Sequence, residues 1–359
     1  MPTVTVNLPA GAYDVRVEAG LLAKAGEVVG PLARSGRVGV VADAMLLETH
    51  LPTLTASLKA AGVEPLVVPL PASEANKTLA GLTPMLDALL QARVDRHTPV
   101  VALGGGIVGD MAGFAAAVLL RGVPFVNIPT TLLAMVDASV GGKTGVNHAM
   151  GKNLVGSFHQ PAAVLIDPHV LATLPRAEVV GGMAEVIKHA CIRDAALFEK
   201  LEANLGRVFE PDMAFLTDLV AANVAIKARV VEADERETGE RAHLNFGHTF
   251  AHGFESATDH REPHGAAVGV GIRCANDLAG RLGMLPSQDK QRIDALLTET
   301  GLPEAMRAEP ERVLAAMRSD KKVEAGRLRL VLLEGLGRVT IRADVPEEAV
   351  LETLRGRCA

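Results

Sequence analysis

"VALGGGIVGDMAGFAAAVLL", residues 101–120, reads as a strand, a glycine turn and a helix in direct succession. Gly104, Gly106 and Gly109 stand in GxGxxG spacing. Missing side chains there let backbone amides approach a pyrophosphate, and the helix N-terminus that follows favours its negative charge. A tight strand-to-helix turn uses the same glycines without any ligand. The usual dinucleotide fingerprint opens the first βαβ unit and has an acid about twenty residues downstream on the ribose. Here Pro129 stands at that distance. Asp43, at the end of the earlier run "RVGVVAD" (37–43), is the better ribose acid, though it would serve equally as a helix cap.

Outward from this turn the pattern repeats. "RVGVVAD", "EPLVVPL" (64–70), "PVVALGG" (99–105), "PFVNIPT" (124–130) and "AAVLID" (162–167) are continuous apolar runs bounded by Gly, Pro and polar residues. Such runs fit strands buried on both faces. "AMLLETHLPTLTASLKAAG" and "LAGLTPMLDALLQARV" between them have helical apolar spacing. The alternation predicts an α/β fold with a largely parallel sheet, a Rossmann-like nucleotide-binding domain over residues 1–174. After "TLPRAE" (173–178) long helical patterns take over, including "EVIKHACIRDAALFEKLEANL" and "MAFLTDLVAANVAIKARVVEADERE". They predict a second, mainly helical domain over 175–359.

The chain has 359 residues, 48% hydrophobic and 22% charged, which suits a globular protein with a large core. Its net charge of −6 gives no basic field for nucleic acid. Cys191, Cys274 and Cys358 are scattered and odd in number, so neither a CxxC metal pair nor a disulfide framework is expected. The opening "MPTVTVNLPAGAYDVRV" alternates like a strand and lacks a basic leader. No apolar stretch is long enough for a bilayer. These features predict a cytoplasmic protein with no membrane and no nucleic-acid partner.

Two polar clusters carry the chemistry. "NIPTTLLAMVDASVGGKTGVNHAMGKNLVG" (127–156) holds Thr130, Thr131, Asp137, Lys143, Lys152 and Asn153 among glycines, as a flexible loop curling round a phosphate would. A solvated loop with ordinary lysines is the plainer alternative. "LNFGHTFAHGFESATDHREPHG" (244–265) holds four of the eleven histidines. His248 and His252, four apart, can share a helix face, but Thr249 stands where HExxH needs a glutamate. His264, at an expected turn, can fold back toward that face. Glu185, expected at the head of a helix with Lys188 on the same face, offers an oxygen. Two imidazoles and one carboxylate suit catalytic zinc. His243 and His260 read as ordinary polar positions.

Taken jointly, "GGGIVGDMAGFAA", "IPTTLLAMVDASVGGKTGVNH", "GKNLVGSFHQP", "GMAEVIKHA", "ADERETGERAHLNFGHTFAH" and "HGAAVGVG" resemble the 3-dehydroquinate synthase family in order and spacing. The match runs from about residue 37 to the DKK at 320–322. The resemblance implies a homodimer that uses NAD and a divalent metal, zinc first and cobalt as the alternative. It implies that a sugar phosphate, 3-deoxy-D-arabino-heptulosonate 7-phosphate, is cyclised to 3-dehydroquinate with loss of phosphate. The implied course is transient oxidation, elimination, re-reduction and aldol closure.

Residue by residue, the resemblance makes Glu185, His248 and His264 the metal ligands and moves His252 to the substrate side. Lys143, Lys152, Asn153, Lys188, Lys227, Arg241 and Asn245 match substrate positions, with Lys143 and Lys152 also beside NAD. Arg121 matches an arginine that reaches the phosphate from the neighbouring subunit. Asp43, Glu74, Lys77, Gly106, Ile107, Val108, Gly109, Asp110, Thr130 and Thr131 match the NAD site, and Asp137 a position beside nicotinamide and metal. Lys321 or Lys322 would reach the pocket. Two departures stand out: Ala266 replaces a common glutamate after HG, and "ASEANK" (72–77) replaces a DGE-like run, which bears on Glu74 and Lys77. A metal-dependent polyol dehydrogenase, a cyclase acting on a substrate without a carboxylate, and a nucleotide-sensing module are the rival readings.

Overall fold

The computed structural model describes residues 2–210, 212–237, 239–259, 261–319 and 328–359. Lys321, Lys322 and His260 lie outside the described residues. The chain forms two compact units, Met1–Leu174 with Pro211–Glu232, and Pro175–Glu210 with Ala233–Ala359.

In the first unit, strands β1 (Thr3–Leu8), β2 (Gly11–Val17), β3 (Arg37–Asp43), β4 (Glu64–Leu70), β5 (Val100–Gly104), β6 (Phe125–Pro129) and β9 (Ala163–Ile166) form one sheet. Its order is β1-β2-β9-β6-β5-β3-β4. The β1–β2 pair is antiparallel and every other pairing is parallel. The five apolar runs therefore became the parallel strands, while the alternating N-terminal stretch folded into a hairpin rather than one strand. Helices α1 (Ala25–Val29), α2 (Leu51–Ala60), α3 (Leu79–Gln91) and α4 (Gly106–Val118) connect them. Thr78 starts α3 by accepting from Gly81 N–H at 3.1 Å, one of the donors a helix start leaves open. The helical pattern expected from Ala44 condenses to α2, which begins at Leu51 with Pro52 in its first turn.

From β3 the chain moves outward to β4, then returns to place β5 on β3's other side. The sheet thus reverses its order between β3 and β5, where ligands gather in open α/β folds. This explains the unusual placing of the glycine turn. It follows the third parallel strand in sequence, yet it lies at the switch point with Asp43 at the end of its neighbour. Helix α4 is apolar apart from Asp110 because most of it is covered, with Val108, Met111, Ala112, Phe114, Ala115 and Ala116 buried. Each large aliphatic or aromatic side chain buried this way contributes about 1.5–3 kcal/mol.

Strands β7 (Lys143–His148) and β8 (Gly151–Phe158) form a separate antiparallel hairpin. The expected flexible loop is therefore a correction: its glycines build the hairpin. A Cβ on Gly156 would fall 2.1 Å from Thr144 O, so the strands meet backbone to backbone.

The second unit contains α5 (Arg176–Arg193), α6 (Ala195–Asn204) and α7 (Gly206–Phe209). Helix α8 (Met213–Ala233) then runs with the first unit almost to its end. The second unit resumes with α9 (His248–Ala257), α10 (His264–Arg281), α11 (Ser287–Thr300) and α12 (Pro310–Ser319). The hairpin β10 (Leu330–Gly335)–β11 (Arg338–Arg342) and α13 (Glu347–Arg355) complete it. The long helical run from Glu185 breaks at Asp194, whose carboxylate accepts from Leu197 N–H at 3.0 Å and restarts the chain as α6. The chain is an α/β protein with a Rossmann-like sheet followed by a mainly helical part. Among the described residues no helix is long and apolar enough to cross a membrane.

Candidate active site

Glu185 lies in the middle of α5, not at its head. His264 is the first residue of α10, with Pro263 before it, not part of a turn. Gly265 suggested a turn, but its bareness has another cause. A Cβ there would fall 2.3 Å from Gly181 Cα, so α5 and α10 cross in backbone contact. At Gly271 a Cβ would fall 2.1 Å from Gly247 O, which brings the start of α9 equally close to α10. Gly247 caps α9 with φ 77, a conformation open to glycine. These contacts bring Glu185, one turn beyond Gly181, to the first residues of α9 and α10.

There His248 Nε2 lies 3.4 Å and His264 Nε2 3.8 Å from Glu185 Oε1. One donor atom from each residue falls within 4.8 Å of the others. Donors about 2.1 Å from a tetrahedral ion stand about 3.4 Å apart, so the set fits a zinc-sized ion. The second imidazole nitrogens fit as well. His248 Nδ1 is 3.2 Å from Phe246 O, and His264 Nδ1 is 3.2 Å from the buried Glu255 carboxylate. A neutral imidazole donating through Nδ1 leaves Nε2 to ligate, the usual outer support of a metal histidine. Burial, reinforced by Lys188, lowers His248 to a pKa of about 4 against the pull of Glu185, which keeps it in the ligating form. Lys188 Nζ contacts Glu185 Oε2, and both side chains are almost fully buried. His252 sits one turn along α9, its ring 5.8 Å from that of His248 and edge-on.

Arg241 and Asn245 lie on the 3₁₀ turn Glu240–Asn245. Arg241 is 2% exposed; its N–H donates to Asp234 at 3.1 Å and its guanidinium to Glu235 O. Asn245 donates to Glu237 at 2.9 Å. His243, read as an ordinary polar position, accepts from Arg193 at 2.7 Å.

In the first unit the switch-point residues converge. Asp43 ends β3 and caps the next turn, accepting from Met45 N–H at 3.1 Å. Gly106, Ile107, Val108, Gly109 and Asp110 form the first turn of α4. The Val108 side chain is buried in the core, leaving only its backbone for a ligand. A Cβ on Gly106 would meet nothing closer than Ala138 at 3.5 Å, so packing does not demand glycine there. The open helix start fits a pyrophosphate, whose close approach a bare backbone permits. Thr130 follows β6, and Thr131 accepts from Ala134 N–H at 3.2 Å. Asp137 lies on the π-helical turn Ala134–Ala138, a geometry frequent at functional sites, and accepts from Lys227 of α8 at 2.5 Å.

Lys77 is 4% exposed despite the divergent "ASEANK" run. Its ammonium reaches Asp110 at 2.5 Å and Asn153 Oδ1 at 2.7 Å. Burial raises the Asp110 carboxyl above its ordinary pKa, although Lys77 opposes the shift. Glu74 accepts from Asn147 at 2.7 Å. Lys143 and Lys152 stand near opposite ends of the β7–β8 hairpin. Arg121 is exposed on the turn after α4, where Leu120 and Arg121 have φ of 51 and 69. Two successive left-handed non-glycine residues are costly, so this turn is a constrained one.

Sequence reasoning missed Glu255 and Asn147. Glu255 lies seven residues after His248, on the same side of α9.

The family model for the 3-dehydroquinate synthase N-terminal part matches residues 67–181, and that for the C-terminal part residues 182–323. A 3-dehydroquinate synthase of Rhodospirillum rubrum is 48% identical over 365 residues, covering 99% of this chain and 95% of that protein. Among solved structures, a 2-epi-5-epi-valiolone synthase from Streptomyces hygroscopicus with NAD+ and Zn2+ bound is 31% identical, with a TM-score of 0.88 and 96% of each chain covered. A 2-deoxy-scyllo-inosose synthase complexed with carbaglucose-6-phosphate, NAD+ and Co2+ shares the fold at 23% identity, with a TM-score of 0.90 and 98% and 99% of the two chains covered. With both family models matched and a relative this similar over nearly its full length, the chain belongs to the 3-dehydroquinate synthase family.

Proposed function

We propose that the chain cyclises 3-deoxy-D-arabino-heptulosonate 7-phosphate to 3-dehydroquinate with release of phosphate. The observation that carries this reading is the convergence of Glu185, His248 and His264, each imidazole supported from behind, in a chain of this family. When bound, NAD supplies a reversible hydride acceptor, and a divalent ion, zinc or cobalt, supplies Lewis acidity toward substrate hydroxyls.

Residues 1–174 serve as the NAD-binding part and 175–359 as the metal and substrate part, with Arg121, Lys143, Lys152 and Asn153 of the first part also meeting the substrate. NAD is held by Asp43, Glu74, Lys77, the Gly106–Asp110 turn, Thr130, Thr131 and Asp137, with Lys143 and Lys152 beside it. Lys143, Lys152, Asn153 and His252 meet the substrate's phosphate, and Arg121 joins them from a second copy in a homodimer. Their charges stabilise the phosphate as it departs, and the departing group itself offers the oxygen that takes the neighbouring proton. Lys227 and Arg241 take the substrate carboxylate, for which a planar guanidinium fork is suited. Lys188 and Asn245 orient the hydroxyls. A cytoplasmic location suits such a biosynthetic enzyme.

Phosphate release and NADH absorbance followed together on the purified protein test the reading. Phosphate should appear with no accumulation of NADH. One NADH per substrate consumed would overturn it in favour of a dehydrogenase.

A further inference from the structure

Asn147 has no role in the reading above, yet it touches the segments that carry it. Its Nδ2 donates to the Glu74 carboxylate at 2.7 Å, and its Oδ1 accepts the Asn153 N–H at 3.0 Å. Its own N–H donates to Lys77 O at 2.7 Å, and a parallel bridge to Thr78 continues the contact. Asn153 has φ 53, the left-handed region that asparagine enters more readily than other non-glycine residues because its short polar side chain can hydrogen-bond locally. Two partners hold it there: the Asn147 carbonyl on its backbone and the Lys77 ammonium on its side chain at 2.7 Å. Lys77 in turn reaches Asp110 in the first turn of α4. One amide therefore joins the loop after β4 to the β7–β8 hairpin, with both ends of its side chain in use.

We propose that Asn147 is a positioning residue that couples the NAD-binding loop to the phosphate-binding hairpin, so that filling one tightens the other. This rests on the assignment of Glu74 and Lys77 to NAD and of Lys152 and Asn153 to phosphate. A ligand that engages Glu74 or Lys77 must exchange their present partners. Asn147 passes that exchange to the Asn153 backbone, selecting the conformer in which its side chain and that of Lys152 meet an anion. Such coupling is reciprocal: each ligand changes the other's affinity by the same factor.

Calorimetric titration of the purified protein tests this, with NAD added in the presence and absence of saturating inorganic phosphate, and phosphate with and without NAD. The native protein should show tightening of about fivefold or more in both directions, the lower end of usual coupling. Asn147→Ala should bring the factor near one while each ligand alone still binds; a merely structural role would weaken both ligands and leave the factor. Asn147→Asp keeps the acceptor for Asn153 but sets a carboxylate against Glu74, so it should also lose the coupling, and it decides the matter if the alanine variant does not fold. An unchanged factor in Asn147→Asp, or a factor of one in the native protein, overturns the inference alone. A native protein that binds neither ligand overturns the functional reading with it.

Discussion

Glu185, His248 and His264 come from three helices whose backbones touch, whereas Glu74, Lys77, Asp110 and Asn153 come from a loop, the first turn of α4 and a hairpin, joined through side chains. On the metal side, the Gly181–Gly265 and Gly247–Gly271 contacts set the positions before any ligand arrives. Glu255 and Phe246 then fix the ring orientations. Around Lys77, polar groups are already paired with each other, so a ligand would have to replace those bonds one by one. A site fixed by backbone contact should fail outright when altered. A site built from mutual pairing should respond by degrees.

The largest effect is expected at the ligands. His264→Ala, His248→Ala or Glu185→Gln should abolish turnover and stoichiometric metal while the fold persists, because an open catalytic site has only three protein ligands to begin with. Elemental analysis reads this directly, and full metal in all three variants would remove the cluster from the site. Gly265→Ala comes next and tests the backbone argument, since it replaces none of those three side chains. Its new methyl would press on Gly181 backbone, a clash that side-chain motion does not relieve. Overpacking of this kind costs about 1–3 kcal/mol. The denaturant midpoint should fall and metal content should fall with it; a drop in stability alone, with metal retained, would break the claim that the helix crossing sets the site.

How far the sequence revealed all this follows from the same contrast. Continuous apolar runs between helical patterns disclosed the parallel strands, because a strand covered on both faces has no polar side to disguise it. Glycines misled twice. In β7–β8 they looked like a flexible loop, and at Gly265 like a turn. In both places the missing side chain serves a close approach by a segment distant in sequence or across a strand pair, which local pattern does not reveal. The residues proposed as ligands were legible as types, but their convergence depends on α5, α9 and α10 meeting, and only the family resemblance separated His264 from His252. Glu255 and Asn147 stayed hidden because each acts through a neighbour.

Arg241 sharpens the comparison from within the helical unit, for it is held by pairing although it is almost wholly buried. Arg241→Lys keeps the charge and loses the planar fork. A charge-assisted bond is worth about 1.5–3 kcal/mol, so catalytic efficiency should fall roughly ten- to a hundredfold. The measurement compares the heptulosonate phosphate with a sedoheptulose phosphate, which lacks the carboxylate. An unchanged rate on the first, or a native preference for the second, would remove Arg241 from the carboxylate site.

The smallest effect is expected at Tyr13, in the N-terminal hairpin. It is the chain's one tyrosine, and the chain has no tryptophan. Its buried hydroxyl accepts the Gly141 N–H at 3.1 Å, two residues before Lys143. Tyr13→Phe removes a neutral hydrogen bond worth about 1 kcal/mol, so efficiency should fall by less than about tenfold, through the placing of Lys143. The lone chromophore also gives an optical readout. If the hairpin adjusts when an anion arrives, inorganic phosphate should change the tyrosine emission of the native protein, and Tyr13→Phe should abolish the signal. Emission that ignores phosphate, together with unchanged kinetics in the variant, would show the hairpin to be as rigidly set as the metal cluster. The contrast between backbone-fixed and pairing-fixed regions would then fail on the side where it predicts movement.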